Sequence, residues 1–447
     1  MMTREPAPAI WWLHPVSFFS CAGVSIGLFA YLTPESAYRT LWRTPKFFDL
    51  YALGITLACV AVFAFGAVMS SNYASNSARR EAANGRDKIP WGVMMTLFRM
   101  TFYLSVLGYA IWAGLAIQRG MTLSDVIGIA TGEKGAMYDA RYTFLPTVGG
   151  VTTFAEFGSA TVILGAILGF CRGWQPVRWK LGVLLFLAIG RALINSERFA
   201  IIELVVPFAV ASLAFLNLKQ GGAIKRSLIN LAPVIGIAGL LTVFTTFEYF
   251  RSWSNYYQGR NLNLVEFGSS RLLGYYVTSF NNGAYFLQRL DPLEAPYFTF
   301  HFLWSLPPTV PLVHRLFPNP LLDTNDKWFY FPFLDQDANL EFNNADGMMF
   351  PLMDYGVPGG LIYWFVVGVG CGLLYRWYRR REPLGLLLYP LVCLGLMEVP
   401  LALYWSEGRA FPAQCLLIGT PVLFWIHRRQ VPAHKASLSA AKFSVRA

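Results

Sequence analysis

The sequence predicts an all-α polytopic membrane protein, a single domain over residues 1–447, with about ten transmembrane helices and one long extracytoplasmic segment. Three observations carry that expectation. Hydrophobic residues make up 55% of the 447-residue chain and charged residues only 14%, a balance that leaves too few polar groups to cover a water-facing surface. Apolar stretches of about 20 residues, the length that crosses a roughly 30 Å hydrocarbon core, recur from one end to the other. The net charge of +11 is dispersed in small groups between these stretches, which fits membrane topology and excludes a concentrated nucleic-acid surface.

In order along the chain, the predicted spans lie at 16–33, 48–70, 92–117, 150–170, 178–194, 199–218, 228–248, 356–375, 384–403 and 411–427. Only Arg4 precedes the first, and no small-residue cleavage pattern follows it, so it reads as a retained span rather than a signal peptide. Basic residues gather at Arg79, Arg80, Arg86 and Lys88, at Arg172, Arg178 and Lys180, at Lys219, Lys225 and Arg226, at Arg376, Arg379, Arg380 and Arg381, and in the C-terminal tail. The short connections on the other side hold fewer. That bias places both termini in the cytoplasm of a bacterial inner membrane. Between the seventh and eighth spans runs the segment 249–355, far longer than a connection requires. Segments of that kind commonly carry function.

Six cysteines stand in or beside the spans without a C-x-x-C pair, so neither a disulfide framework nor a cysteine metal site is expected. Five histidines show no H-E-x-x-H spacing, and the absence of G-x-S-x-G, Walker and G-x-G-x-x-G patterns excludes a serine hydrolase, an ATP-driven pump and a nucleotide-cofactor enzyme. The run Asp335 to Asp346 has oxygen ligands at alternating positions but has Leu340 where a calcium loop needs glycine and Asp346 where it needs a closing glutamate, so it reads as a solvated acidic loop. No metal and no cofactor are expected.

The hairpin between spans five and six, Gly190-Arg191-Ala192-Leu193-Ile194-Asn195-Ser196-Glu197-Arg198, puts two arginines and a glutamate at the mouth of the bilayer. Apolar residues run only from Leu181 to Ile189 before Arg191, which recesses it below the outer surface. An intramembrane arginine faces a partner, a cavity or a substrate path. It therefore marks a pocket for an anionic group, or else locks two helices through Glu203 or Glu197. Glu398 and Arg99 are further ionisable residues at membrane depth, and Arg409 stands at the mouth of the last hairpin, where it would meet Arg191 and Arg198 if the bundle brings the hairpins together. The long segment is basic up to residue 290, with Arg251, Arg260, Arg271 and Arg289, and acidic beyond it, a division that suits a substrate with one anionic end and one hydroxyl-rich end. Its many aromatic residues suit the headgroup level of a membrane more than sugar stacking.

The chain resembles the integral-membrane oligosaccharide repeat-unit polymerases, the O-antigen polymerase family of bacterial surface polysaccharide pathways. The likeness rests on His14-Pro15 before span one, on Leu145-Pro146-Thr147-Val148-Gly149-Gly150-Val151-Thr152-Thr153 entering span four, and on Ser196-Glu197-Arg198. It also rests on Asn344-Ala345-Asp346 with Asp354-Tyr355-Gly356-Val357-Pro358-Gly359-Gly360 entering span eight. The resemblance implies a fold similar to that of the lipid-donor (GT-C-like) glycosyltransferases and an enzyme that joins polyprenyl-diphosphate-linked oligosaccharides at the outer face of the membrane, in company with a chain-length regulator and a flippase. Arginines suit a leaving diphosphate because the guanidinium binds phosphate oxygens bidentately and keeps its proton. Arg191, Arg198 and Arg271, supported by Arg251 and Arg409, are the expected diphosphate ligands, and Glu197 and Asp346 the expected proton acceptors. A ligase using the same donor, or a flippase of the lipid-linked glycan, are the alternative activities; a flippase calls for paired inverted repeats, and none is evident.

Overall fold

The computed structural model describes residues 7–72, 89–145, 150–195, 199–216, 222–249, 252–253, 257, 263–289, 292–293, 296–305, 309–316 and 338–444. Every regular element among them is helical. The long helices are α1 (Pro15–Leu32), α2 (Leu50–Asn72), α3 (Trp91–Gln118), α4 (Val151–Arg172), α5 (Arg178–Asn195), α6 (Phe199–Leu213), α7 (Ala232–Glu248), α8 (Leu264–Arg289), α9 (Phe350–Arg379), α10 (Pro383–Glu398) and α11 (Phe411–Ser444).

Five of the described helices are long and apolar enough to cross a membrane: α1, α2, α3, the Thr153–Arg172 part of α4, and α9. A sixth is α7 taken together with the short helix Ala223–Asn230, from which it is bent by 56°. The molecule is thus a polytopic helical membrane protein. Helices also occupy the remaining predicted stretches, but α6, α10 and the apolar Phe411–His427 part of α11 are shorter. Prolines explain several of the departures from the expected bounds. Pro233 opens α7 and separates it from the preceding helix, while Pro400 lacks the amide proton that would continue the hydrogen-bond ladder, so α10 stops at Glu398 rather than running to 403.

Two apolar cores organise the bundle. One gathers Phe98 of α3, Ile163 and Ile167 of α4, Val210 of α6, Leu387 and Tyr389 of α10 and Leu417 of α11. The other gathers Phe19 of α1, Cys59 and Phe63 of α2, Val277 and Phe280 of α8 and Trp364 of α9. Helix α10 serves both, with Leu386 in the first and Leu396 in the second. Small residues set the closest crossings: Gly66 of α2 faces the backbone of Phe365 in α9, and Gly368 and Gly372 of α9 face Phe63 and Ala67 of α2. Backbones that close exclude any larger side chain, the usual means of packing helices where lipid supplies no hydrophobic drive.

In the segment between α7 and α9, α8 and residues 338–349 pack against the bundle. Asn281 of α8 accepts the backbone N–H groups of Phe47 and Phe48 at 2.6 and 3.0 Å and donates to Pro45 at 2.8 Å. Asn282 donates to the carbonyls of Phe342 and Asn344, both at 2.8 Å. Residues 346–349 then descend between helices: the Met348 side chain reaches Gly23 of α1, and its carbonyl accepts the Trp364 indole N–H at 2.9 Å. The chain turns back through Gly356, whose φ of 70° and ψ of 176° break α9 near its start. Only glycine adopts that backbone region without strain.

Candidate functional site

Ionisable residues inside apolar helices are costly unless paired, so they are the first place to look for function. The structure draws four of them together. The Arg191 guanidinium in the last turns of α5 lies 3.5 Å from a carboxylate oxygen of Glu156 in α4. The guanidinium of Arg409, just before α11, lies 3.7 Å from a carboxylate oxygen of Glu203 in α6. Glu203 is in turn within hydrogen-bonding reach of Glu156, which makes a continuous chain Arg191–Glu156–Glu203–Arg409. Arg191, Glu156 and Glu203 are 4%, 3% and 3% exposed, so solvent does little to screen those three, whereas the Arg409 side chain keeps 30% of its surface exposed. Two tyrosines border it, Tyr109 of α3 against Arg191 and Tyr404 against Glu203.

Helix direction explains the convergence. Gly108 of α3 packs on Ala155 of α4 while Phe98 reaches Gly165, so those two helices run antiparallel. Phe63 and Ala67 of α2 meet Gly368 and Gly372 of α9 in the same order, so those run parallel. Glu156 and Glu203 stand near the starts of their helices and Arg191 near the end of its helix, which puts all three at the end of the bundle where the long segment joins. At about 1.5 Å per residue they lie roughly 6–8 Å inside the helix ends. Arg409 reaches the same level from the last hairpin, its guanidinium 5.2 Å from the Phe199 ring. The charge of Arg409 also acts on Glu398 at the end of α10, and Glu398 in turn neighbours Tyr276 of α8. The long segment thereby borders the site.

Of the residues the sequence singles out, Arg191 and Arg409 do converge. Glu197, Arg198 and Arg251 lie outside the described residues. Arg271 is elsewhere: it hydrogen-bonds Glu341, pairs with Glu248 at 3.6 Å and lies over the Phe342 ring at 4.9 Å. That guanidinium, matched by two carboxylates, ties the end of α7 to α8 and to residues 340–342. Asp346 is fully buried in the second core, its backbone N–H donating to Ser279 at 2.8 Å and its carboxylate accepting from the Met348 N–H at 3.0 Å. None of its bonds reaches the Arg191 group. In the acidic run, 335–337 are outside the described residues, and the remaining carboxylates diverge, Glu341 to Arg271 and Asp346 to the core. Among the described residues no group of three His, Cys, Asp or Glu could hold a metal ion. Arg99 is exposed on the outside of α3.

Glu156 is a partner of Arg191 that sequence reasoning did not name; Glu203, which it did name, also lies within reach of the Arg191 charge, and Glu197 lies outside the described residues. A carboxylate standing alone in the apolar run Val151-Thr152-Thr153-Phe154-Ala155-Glu156-Phe157 was the available signal. Chemically, the group offers two guanidiniums for phosphate oxygens and two carboxylates for protons in a water-poor setting. No family model, curated protein or solved structure matches the chain.

Proposed function

We propose that the chain is a membrane glycosyltransferase that joins polyprenyl-diphosphate-linked oligosaccharide repeat units into a surface polysaccharide at the outer face of the bacterial inner membrane. In this reading α1–α7 and α9–α11 make ten crossings on a GT-C-like plan, both termini are cytoplasmic, and a flippase and a chain-length regulator act beside it. The observation that carries it is the convergence of Arg191 of α5 and Arg409 of the turn before α11, distant in sequence, at one end of the bundle next to the long segment. An acceptor hydroxyl attacks the anomeric carbon of the donor; the bond from that carbon to the diphosphate oxygen breaks, and the diphosphate leaves with growing negative charge. The buried Arg191 guanidinium, with the half-buried Arg409 beside it, stabilises that charge more than water does.

The test is the length of surface polysaccharide in cells lacking the gene, complemented with wild type, Arg191→Ala, Arg191→Lys or Arg409→Ala at matched protein levels. Single repeat units on the lipid core with ladders lost in the arginine variants are expected. The lysine variant keeps the charge without the bidentate fork and is expected to restore only short ladders. Full-length chains that stay on the lipid carrier would indicate a ligase instead, and complete loss of exported material a flippase.

A further inference from the structure

At the end of the bundle away from the Arg191 group, α9 passes into α10 through residues 380–382, and backbone bonds set the turn. The Arg381 N–H donates to the Tyr378 carbonyl and the Glu382 N–H to the Trp377 carbonyl, both at 2.9 Å. That pair of bonds is a Schellman turn, which brings the second residue past the helix cap beside the third from the helix end. Here it sets Glu382 beside Trp377. Such a turn calls for a left-handed residue, usually glycine. Arg381 takes the position at a φ of 55°, and its side chain offsets the strain by donating to the Ala214 carbonyl at 2.8 Å. A strained residue persists where its surroundings hold it, so the turn is fixed.

Trp377 and Glu382 line one cleft with Pro421, Phe424 and Trp425 of α11, three residues that share a helix face. Its volume is about 280 Å³, several times the roughly 30 Å³ that one water takes up in the liquid. Its chemistry is mixed. Tryptophan offers the best aromatic face for a cation, and two tryptophans share this cleft with a carboxylate. At the rim, Glu382 meets the Arg380 guanidinium at 3.8 Å, so the mouth carries one charge of each sign. The apolar part of α11 ends at His427, just past Trp425, which puts the cleft at the depth of lipid headgroups.

We propose that this cleft binds the headgroup of a zwitterionic phospholipid, its primary ammonium among Trp377, Trp425 and Glu382 and its phosphate on Arg380. The inference stands apart from the glycosyltransferase reading. A zwitterion brings both signs of charge, so it extends the Arg380–Glu382 pair and leaves no charge unmatched. The carboxylate favours a primary ammonium, which has N–H groups to donate, and the guanidinium takes phosphate oxygens in a bidentate fork. A belt of interfacial tryptophans without these charges would hold the helices at the membrane surface and prefer no headgroup.

Competition between phosphatidylethanolamine and phosphatidylglycerol for the full-length protein, purified in detergent and read by native mass spectrometry, tests this. Wild type is expected to favour phosphatidylethanolamine by about fivefold or more, and Glu382→Gln and Trp425→Leu each to bring the ratio close to one. Arg380→Gln removes the phosphate contact and should weaken both lipids. Both lipids are scored on the same molecules, so a variant that folds less well changes the amount of complex and not the ratio. Equal occupancy in wild type, or a preference for phosphatidylglycerol, would overturn the proposal. So would a wild-type preference that persists in both Glu382→Gln and Trp425→Leu, because the selecting groups would then lie elsewhere.

Discussion

Asp354 and His14 are polar side chains at opposite ends of the helical bundle, and each does a job that one substitution can isolate. Asp354 accepts the backbone N–H groups of Phe298 at 3.0 Å and Thr299 at 2.8 Å, and the Thr299 hydroxyl at 2.7 Å. It is the peg that holds the turn 297–300 to the start of α9. Asp354→Ala leaves two buried amide protons unmet and is expected to cost about 3 kcal/mol, read as a lowered unfolding midpoint in detergent. His14 caps α1 by accepting the Val16 N–H at 3.3 Å, and its ring stands edge-on to Tyr375 at 4.9 Å. Burial, and then the nearby Arg379 charge, hold its pKa below the ordinary histidine value. The sign follows: the unfolded chain binds a proton more readily than the folded one, so His14 costs no stability above about pH 6.5 and lowers it as pH falls from there. His14→Asn keeps an acceptor at the cap and removes the titration. The fall in unfolding temperature between about pH 7.5 and pH 5 should flatten in that variant.

Single helices owe their shapes to prolines and glycines at fixed places. Gly356→Ala puts a side chain where φ is 70°, and an expected cost of about 1–3 kcal/mol should appear as lost stability with the site arginines intact. Gly368→Leu acts differently. Its side chain would enter the backbone of Phe63, prising α9 from α2, and overpacking of this kind costs about 2 kcal/mol or more. Lower yield of folded protein, with no recovery from Gly368→Ala, would show that backbone approach sets this crossing. The same elements show where periodicity misleads. The stretch 384–403 is apolar but for Glu398, yet its helix ends at that residue and the chain runs on to the short turn Tyr404–Ser406, which is what lets Tyr404 and Arg409 approach Glu203.

Across the whole molecule, orientation is the property on which the functional reading depends. Glu35 lies on the connection between α1 and α2, and Lys225 on the short helix before α7; both are exposed. In a chain whose native cysteines are replaced, Glu35→Cys should react with a membrane-impermeant maleimide on intact spheroplasts and Lys225→Cys only after lysis. The reverse pattern would place the Arg191 group at the cytoplasmic face and end the extracytoplasmic reading of the site.

By itself the sequence determines that the chain lives in lipid, that it is helical, and close to where its helices lie, because apolar length and charge placement are local properties that the bilayer reads one segment at a time. It also points to Arg191 and Arg409 as ions in an apolar setting. Only the tertiary structure decides what those ions face. Glu156 meets Arg191 because α4 and α5 run antiparallel with their site ends together, while Arg271, equally suited by its chemistry, is drawn to Glu248 and Glu341 by the way α8 packs. Sequence gives the segment between α7 and α9 no internal contacts, yet Asn281 of α8 meets backbone groups of Pro45, Phe47 and Phe48 in the connection before α2, and Asn282 ties α8 to Phe342 and Asn344 of the same segment. A pairing between residues far apart in the chain costs nothing in local pattern and leaves no trace there; it is settled by which faces pack, and that is a property of the folded whole.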